Sequence, residues 1–340
     1  MNRRAIGAFT AAAAAALAIA WRARPGASLR GDVALVTGGS RGLGFLLARQ
    51  LLDEGCRVAI CARDTHTLDR ARRRLEAETS GEVAAFVCDV ADADAVERLV
   101  DDVVARFGGL SIVVNNAAVI QVAPLDTLEI EDFRSAIDIA LMGMVHTTFA
   151  ALPHLRRARG RIANITSIGG KIAVPHLLPY DCAKFAAVGF SEGLRSELAG
   201  SGVRVTTVIP GLMRTGSPVH VEYRGDPARE YAWFTLGDLL PLSAMSAERA
   251  ARRIVRAIRH GETELVLTWQ ARALRLAHDL APATVTRALG VVNRLLPRSS
   301  QGTDTKPTRA ARAKGAALRG TLPRPAEAAL DRAARRSNQI

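Results

Sequence analysis

Residues 33–54 read VALVTGGSRGLGFLLARQLLDE. Val33–Thr37 is a short run of apolar and β-branched residues, the composition of a strand. Gly38-Gly39-Ser40-Arg41-Gly42-Leu43-Gly44 follows, and Phe45–Glu54 has a helical pattern. A glycine-rich loop that leaves a strand and opens a helix is the context in which such loops hold phosphate. Gly38 permits the tight turn, and Gly42 and Gly44 allow close backbone approach. The amino end of the helix favours a pyrophosphate. The spacing T-G-x-x-x-G-x-G differs from G-x-G-x-x-G, and alone it also fits a structural turn.

The rest of the chain extends this unit into an alternating series. Strands are expected at Arg57–Ala62, Val83–Cys88, Ser111–Asn115, Arg161–Thr166, Val203–Ile209 and Glu264–Leu267. Between them lie helical stretches at His66–Glu78, Asp92–Phe107, Glu131–Arg157, Pro179–Ala199 and Ser246–Arg259. Strands separated by helices of this length pair in parallel through right-handed crossovers. Their continuous apolar runs fit a sheet covered on both faces. The fold class is therefore α/β, a doubly wound parallel sheet, with ligands at the carboxyl ends of the strands.

This domain spans residues 31–270. Residues 1–30 contain the apolar, alanine-rich run Ala5–Trp21, flanked by Arg3, Arg4, Arg22 and Arg24. Its length is at the lower limit of a membrane span. We read it as an anchor, against a cleaved signal peptide and a soluble packing helix. Residues 271–296 are an amphipathic helical segment interrupted by Pro282, and 297–340 read as a basic tail, disordered or loosely helical.

The net charge of +13 suggests nucleic acid, but its location argues otherwise. Residues 1–30 carry five arginines and no acid, and residues 296–340 carry ten Lys/Arg against three acids. The central domain is left nearly neutral, which excludes a specific nucleic-acid surface on the core. Phosphate or lipid contact by the ends stays open. Cys56, Cys61, Cys88 and Cys182 form no metal-binding or redox spacing, so a reducing compartment is expected.

The chemistry concentrates in Asn164–Lys184, NITSIGGKIAVPHLLPYDCAK. Tyr180 and Lys184, four residues apart, share one helix face. An ammonium beside a phenol favours phenolate and lowers its pKa, toward the range useful to a general acid/base. Ser167, at the end of a strand, has a hydroxyl suited to the same substrate oxygen. Taken alone, such a pair is ordinary helix surface. At the end of the second strand, Ala62 stands where an acid would hold a ribose 2′-hydroxyl. Arg63 follows it, and Arg41 lies in the glycine loop. Two cations and no acid favour NADP(H) over NAD(H), with Asp64 a candidate partner for Arg63.

With these motifs in this order, the chain resembles the short-chain dehydrogenase/reductase family from about Gly31 to Leu267. Thr37–Gly44 corresponds to the cofactor loop, including Ser40, Arg41 and Leu43. Asp89, with Val90, corresponds to the adenine-end contact. Asn115-Asn116-Ala117-Ala118 resembles the family's Asn-Asn-Ala-Gly. Ser167, Tyr180 and Lys184 match the catalytic triad. Pro210-Gly211-Leu212-Met213-Arg214-Thr215 matches the loop at the nicotinamide end. The resemblance implies proton transfer by Tyr180, help from Lys184, which also bonds the nicotinamide ribose, and steadying of the substrate oxygen by Ser167. It also implies a homo-oligomer, no metal and a cytoplasmic location, membrane-anchored if residues 5–21 insert.

One departure is Ala140, where the family carries an Asn that supports a water-linked proton path to the lysine. It motivates a rival reading, a weakly active or non-catalytic nucleotide-binding protein. A membrane-surface scaffold acting through the basic ends is a third. The segment 212–245 should form a lid; it carries Met213, Val219, Tyr223, Tyr231, Trp233, Phe234, Leu236, Leu239 and Leu240. Either these residues line an apolar pocket for a lipophilic alcohol or carbonyl, or they pack the lid onto the core.

Overall fold

The computed structural model describes residues 28–239, 244–297, 313–318 and 320–340. The expected anchor at Ala5–Trp21 lies outside the described residues. Seven strands form the central sheet: β1 (Val33–Thr37), β2 (Arg57–Ala62), β3 (Val83–Val87), β4 (Ile112–Asn115), β5 (Arg161–Ile165), β6 (Arg204–Ile209) and β7 (Glu264–Val266). Their order is β7-β6-β5-β4-β1-β2-β3, and every pair is parallel. The chain leaves β1 for β2 and β3 on one side, then returns to place β4 on the other. A crevice opens at such a reversal, beyond the carboxyl ends of the strands.

Strand β1 shows why its run is apolar throughout. Ala34 and Val36 join a core with Phe45, Leu46, Leu51, Ile254 and Ile258. Val33 and Leu35 point the other way, toward Val96, Val100, Val103, Phe107 and Leu155. Alternating side chains thus enter two different cores, and both are buried.

The helices correct several expectations. The long helix expected across Glu131–Arg157 is Ile130–Ile137, a π-helical turn Asp138–Met142 and Gly143–Ala158. By length and composition, Ile130–Ala158 is apolar enough to cross a membrane. In the fold it packs on the sheet, with Ala151 and Leu155 in the second core. The 271–296 segment is two helices, Trp269–Leu280 and Pro282–Asn293, parted where proline begins the second. Ala271 is buried beside Ile209 and Val266, whereas Trp269, Leu276 and Leu280 are 72%, 59% and 77% exposed.

Of the two alternatives for the 297–340 tail, disordered or loosely helical, residues 324–336 take the helical one and pack on the domain. Arg324–Arg336 is a helix. Leu322 and Leu330 are buried with Tyr223, Tyr231 and Phe234, and Ala326 packs alongside. Residues 322, 326, 330 and 334 recur every four positions and make one narrow stripe. Two of the four are alanines, so the stripe adds little hydrophobicity and was hidden among arginines. Residues 298–312 lie outside the described part.

Candidate active site

The glycine loop is built around one hydroxyl. Thr37 Oγ1 accepts from the backbone N–H groups of Asn116 and Ala117 at 3.0 and 3.1 Å. Asn116 Nδ2 donates to the carbonyls of Thr37 and Gly38 at 3.0 and 3.2 Å. Two loops at the ends of β1 and β4 are thereby tied together. Gly38 and Gly42 have φ of 62° and 61°, in the left-handed region where a side chain is strained. A β-carbon on Gly44 would lie 2.2 Å from the Gly38 carbonyl oxygen. The helix Gly42–Asp53 then begins with no side-chain cap. Its leading N–H groups are donors suited to an anion.

Arg63 and Arg41 lie beyond the loop. Arg63 pairs with Asp89 at 3.6 Å, in an exposed contact. Asp64 is not its partner. Its carboxylate caps the next helix, accepting from Thr67 N–H at 2.7 Å. Burial, together with repulsion from Arg63 and Arg70, lowers the Arg41 guanidinium against the pull of Asp64. Three cations and Asp89 therefore share this corner. Asp89 also accepts from Ala91 N–H at 3.0 Å, and the Val90 carbonyl meets His146 Nδ1 at 3.0 Å.

Asn115, expected at the cofactor, turns its side chain toward the next strand and helix. Its amide donates to Thr148 Oγ1 and Asn164 Oδ1 at 3.2 and 2.9 Å. Asn164 continues to Ser191, and Ser191 to Thr207. The Asn115 side chain is committed to this buried network, and its neighbour Asn116 braces the loop.

Ser167, Tyr180 and Lys184 are brought together. Ser167 ends the β5 segment and accepts from Gly169 N–H at 3.0 Å. The Ser167 hydroxyl and the Tyr180 ring lie together against Gly169, and the Ser167 hydroxyl lowers the phenol pKa. Burial outweighs it and, with repulsion from Asp181 and Asp238, pushes the phenol up to about 12. This corrects the expected depression by lysine. Lys184 is buried, and its Nζ donates to the Ile165 carbonyl at 2.9 Å. Burial brings the ammonium down to about 8. Position 140 is filled by methyl groups, since Ala140 packs against Ala136 and Ala183 within the π turn. π turns in α-helices are frequent at functional sites.

Two buried carboxyl groups were not anticipated. Asp181 follows Tyr180 and accepts from Val174 N–H at 2.7 Å through Oδ2. Among the described residues its Oδ1 has no hydrogen-bond partner. Burial raises Asp181, and likewise Asp238 of the lid, to about 8. A third carboxyl group ties the lid to the loop before Tyr180. Glu230 is buried, with Oε1 at 2.9 Å from His176 Nδ1 and Oε2 at 2.5 Å from Trp233 Nε1. His176 is held at φ 66°. Tyr223 lies edge-on to Tyr231 and Phe234. The lid aromatics therefore pack largely on one another, which favours the packing reading of that cluster.

The loop 210–215 closes the cleft. Pro210 accepts from Ile168 N–H at 2.8 Å. A β-carbon on Gly211 would meet Thr268 Oγ1 at 2.5 Å. Thr215 is buried, and its hydroxyl accepts from Ser217 N–H at 3.1 Å. An unforeseen neighbour sits between this loop and the glycine loop. The Ser337 carbonyl accepts from Gly42 N–H at 2.7 Å. Asn338 Nδ2 donates to the Ser40 carbonyl at 2.7 Å. The Ser337 hydroxyl donates to the Thr215 carbonyl.

The model of the short chain dehydrogenase family matches residues 32–222. The chain belongs to the short-chain dehydrogenase/reductase family. It is 35% identical over 251 residues to a Mycobacterium tuberculosis protein named as an oxidoreductase, SadH, covering 73% of this chain and 90% of that one. It is 38% identical over 192 residues to L-fucose dehydrogenase of Oryctolagus cuniculus, covering 56% and 66% of the two chains. A Streptomyces coelicolor protein named as a ketoacyl reductase is 38% identical over 187 residues, 54% of this chain and 71% of that one. The chain is thus an oxidoreductase of the short-chain type, a family that uses nicotinamide cofactors and small-molecule substrates.

Proposed function

We propose that the chain is an NADP(H)-dependent oxidoreductase interconverting a carbonyl and a secondary alcohol on an apolar substrate. The observation that carries this reading is the gathering of the Ser167 hydroxyl and the buried Lys184 ammonium around Tyr180. The residues fit a dinucleotide. Positive-φ glycines and a helix start without a side-chain cap suit its pyrophosphate, and Arg41 and Arg63 suit a 2′-phosphate. When bound, the nicotinamide supplies or accepts the hydride.

The protein supplies proton, position and exclusion of water. Ser167 Oγ accepts from Gly169, so its own proton is free to hold the Tyr180 oxygen or a substrate oxygen. Tyr180, with a phenol up near 12, stays protonated at neutral pH and is set to donate to a carbonyl oxygen. Lys184, brought down toward 8, titrates close to working pH, and its charge beside the ring favours the phenolate left when Tyr180 gives up its proton. Its bond to Ile165 keeps it at the strand end.

The named relatives act on a sugar and on ketoacyl groups, which share a secondary alcohol or ketone. Leu212 of the 210–215 loop and Leu236 of the lid, 41% and 43% exposed, favour an apolar ligand here. NADPH oxidation against lipophilic ketones, ketoacyl thioesters and sugars tests this. Turnover of lipophilic ketones or ketoacyl thioesters supports it, and turnover of sugars alone rejects it. The rival reading, a nucleotide-binding protein with weak activity, draws on Ala140 and predicts NADPH binding without turnover. We also propose a homo-oligomer on the cytoplasmic side of a membrane, anchored through residues 5–21. Cell fractionation with and without residues 1–24 tests the anchor.

A further inference from the structure

We propose that Ser337–Gln339 is an intramolecular plug that closes the pyrophosphate seat until a dinucleotide displaces it. The inference rests on the reading of Thr37–Gly44 as the dinucleotide loop. Gly42 N–H is the leading donor of the helix Gly42–Asp53, and the Ser337 carbonyl takes it at 2.7 Å, as a phosphate oxygen would. Gln339 covers the same glycine, its Nε2 lying 2.9 Å from where a Gly42 β-carbon would stand. The open face of Gly42 therefore meets chain instead of ligand.

A second observation is the bridge across the cleft. Asn338 holds Ser40 on one wall, and Ser337 holds Thr215 on the other. His220 Nε2 meets the Gln339 carbonyl at 2.9 Å. Ser337, Asn338 and Gln339 are all buried by these contacts. A chain that spans both walls cannot share the space with a dinucleotide spanning the same walls.

The plug is also built to dock. Asn338 turns back at φ 56°, a left-handed conformation that asparagine tolerates. Arg74 donates to the carbonyls of Arg335 and Arg336 at 2.6 and 3.4 Å, capping the helix that delivers the plug. That helix buries Leu330 against Tyr231 and Phe234 of the lid. Ala334 lies within 2.7 Å of where a Gly216 β-carbon would be. Leaving the cleft therefore loosens the lid root, and cofactor entry and lid opening become coupled in both directions.

The test compares the full chain, a deletion of residues 337–340 and Asn338→Ala. Hydrogen exchange of residues 38–45 reads the contact without any nucleotide, and titration with NADPH and NADH reads the competition. The deletion should expose the Gly42 amide and tighten NADPH binding by about tenfold or more. Asn338→Ala, which keeps the chain length, should move both readouts in the same direction by about two- to fivefold. Unchanged exchange in both variants would overturn the plug. Faster exchange with equal or weaker NADPH binding would show that the segment is part of the cofactor site, which also overturns it. Exchange that follows the deletion, with no binding of either dinucleotide by any form, would reject the cofactor reading and the competition with it.

Discussion

Lys184 Nζ stands 5.7 Å from the centre of the Tyr180 ring, yet it donates to the Ile165 carbonyl at 2.9 Å. The pair is close without being hydrogen-bonded. Both groups are desolvated, and desolvation disfavours charge on each. The phenol is pushed up to about 12 and the ammonium down to about 8. Spectrophotometric titration of the nucleotide-free protein, with Tyr180→Phe as the reference, should place the Tyr180 step above its ordinary value of 10. A step below 10 would show that lysine outweighs burial.

Asp181 makes stability depend on pH. Its ordinary value is 3.8 and its folded value about 8, so between these the folded state binds more protons than the unfolded state. Stability then falls as pH rises through this window and is greatest, for this group, below it. Asp181→Asn removes the titration and keeps an oxygen for Val174 N–H. Denaturant melts of the variant and the wild type should therefore converge at acidic pH, with the variant gaining at pH 8. Equal pH slopes in the two proteins would contradict the assignment.

Arg63 bears on cofactor choice. Its partner Asp89 is exposed and holds it weakly, leaving the guanidinium available to a phosphate. Arg63→Ala should weaken NADPH binding by about tenfold, one hydrogen-bonded charge contact, and leave NADH nearly unchanged. Equal losses for both dinucleotides would make Arg63 a structural residue.

The sheet was legible because its central strands are buried on both faces, so Val33–Thr37 reads as a continuous run of apolar and β-branched residues. Boundaries moved by a residue or two, as when Ser246 proved to be a helix cap. The Ser167–Tyr180–Lys184 grouping was legible because two members share a helix face and the third ends a strand. The pKa direction was not, because sequence spacing reports proximity but not desolvation. The contact between His176 and Glu230 joins residues far apart in sequence, and neither carries a local pattern. The return of Ser337–Gln339 was hidden for the same reason. Its affinity comes from backbone donors of the glycine loop, and its helix is anchored by a stripe half made of alanine.

The most direct measurement is NADPH oxidation with a lipophilic ketone by the wild type and Tyr180→Phe, alongside NADPH titration of both. The variant should bind NADPH as the wild type does and lose turnover by about a hundredfold or more, the share of a general acid. Turnover retained in Tyr180→Phe, or absent in a wild type that binds NADPH, would contradict the account.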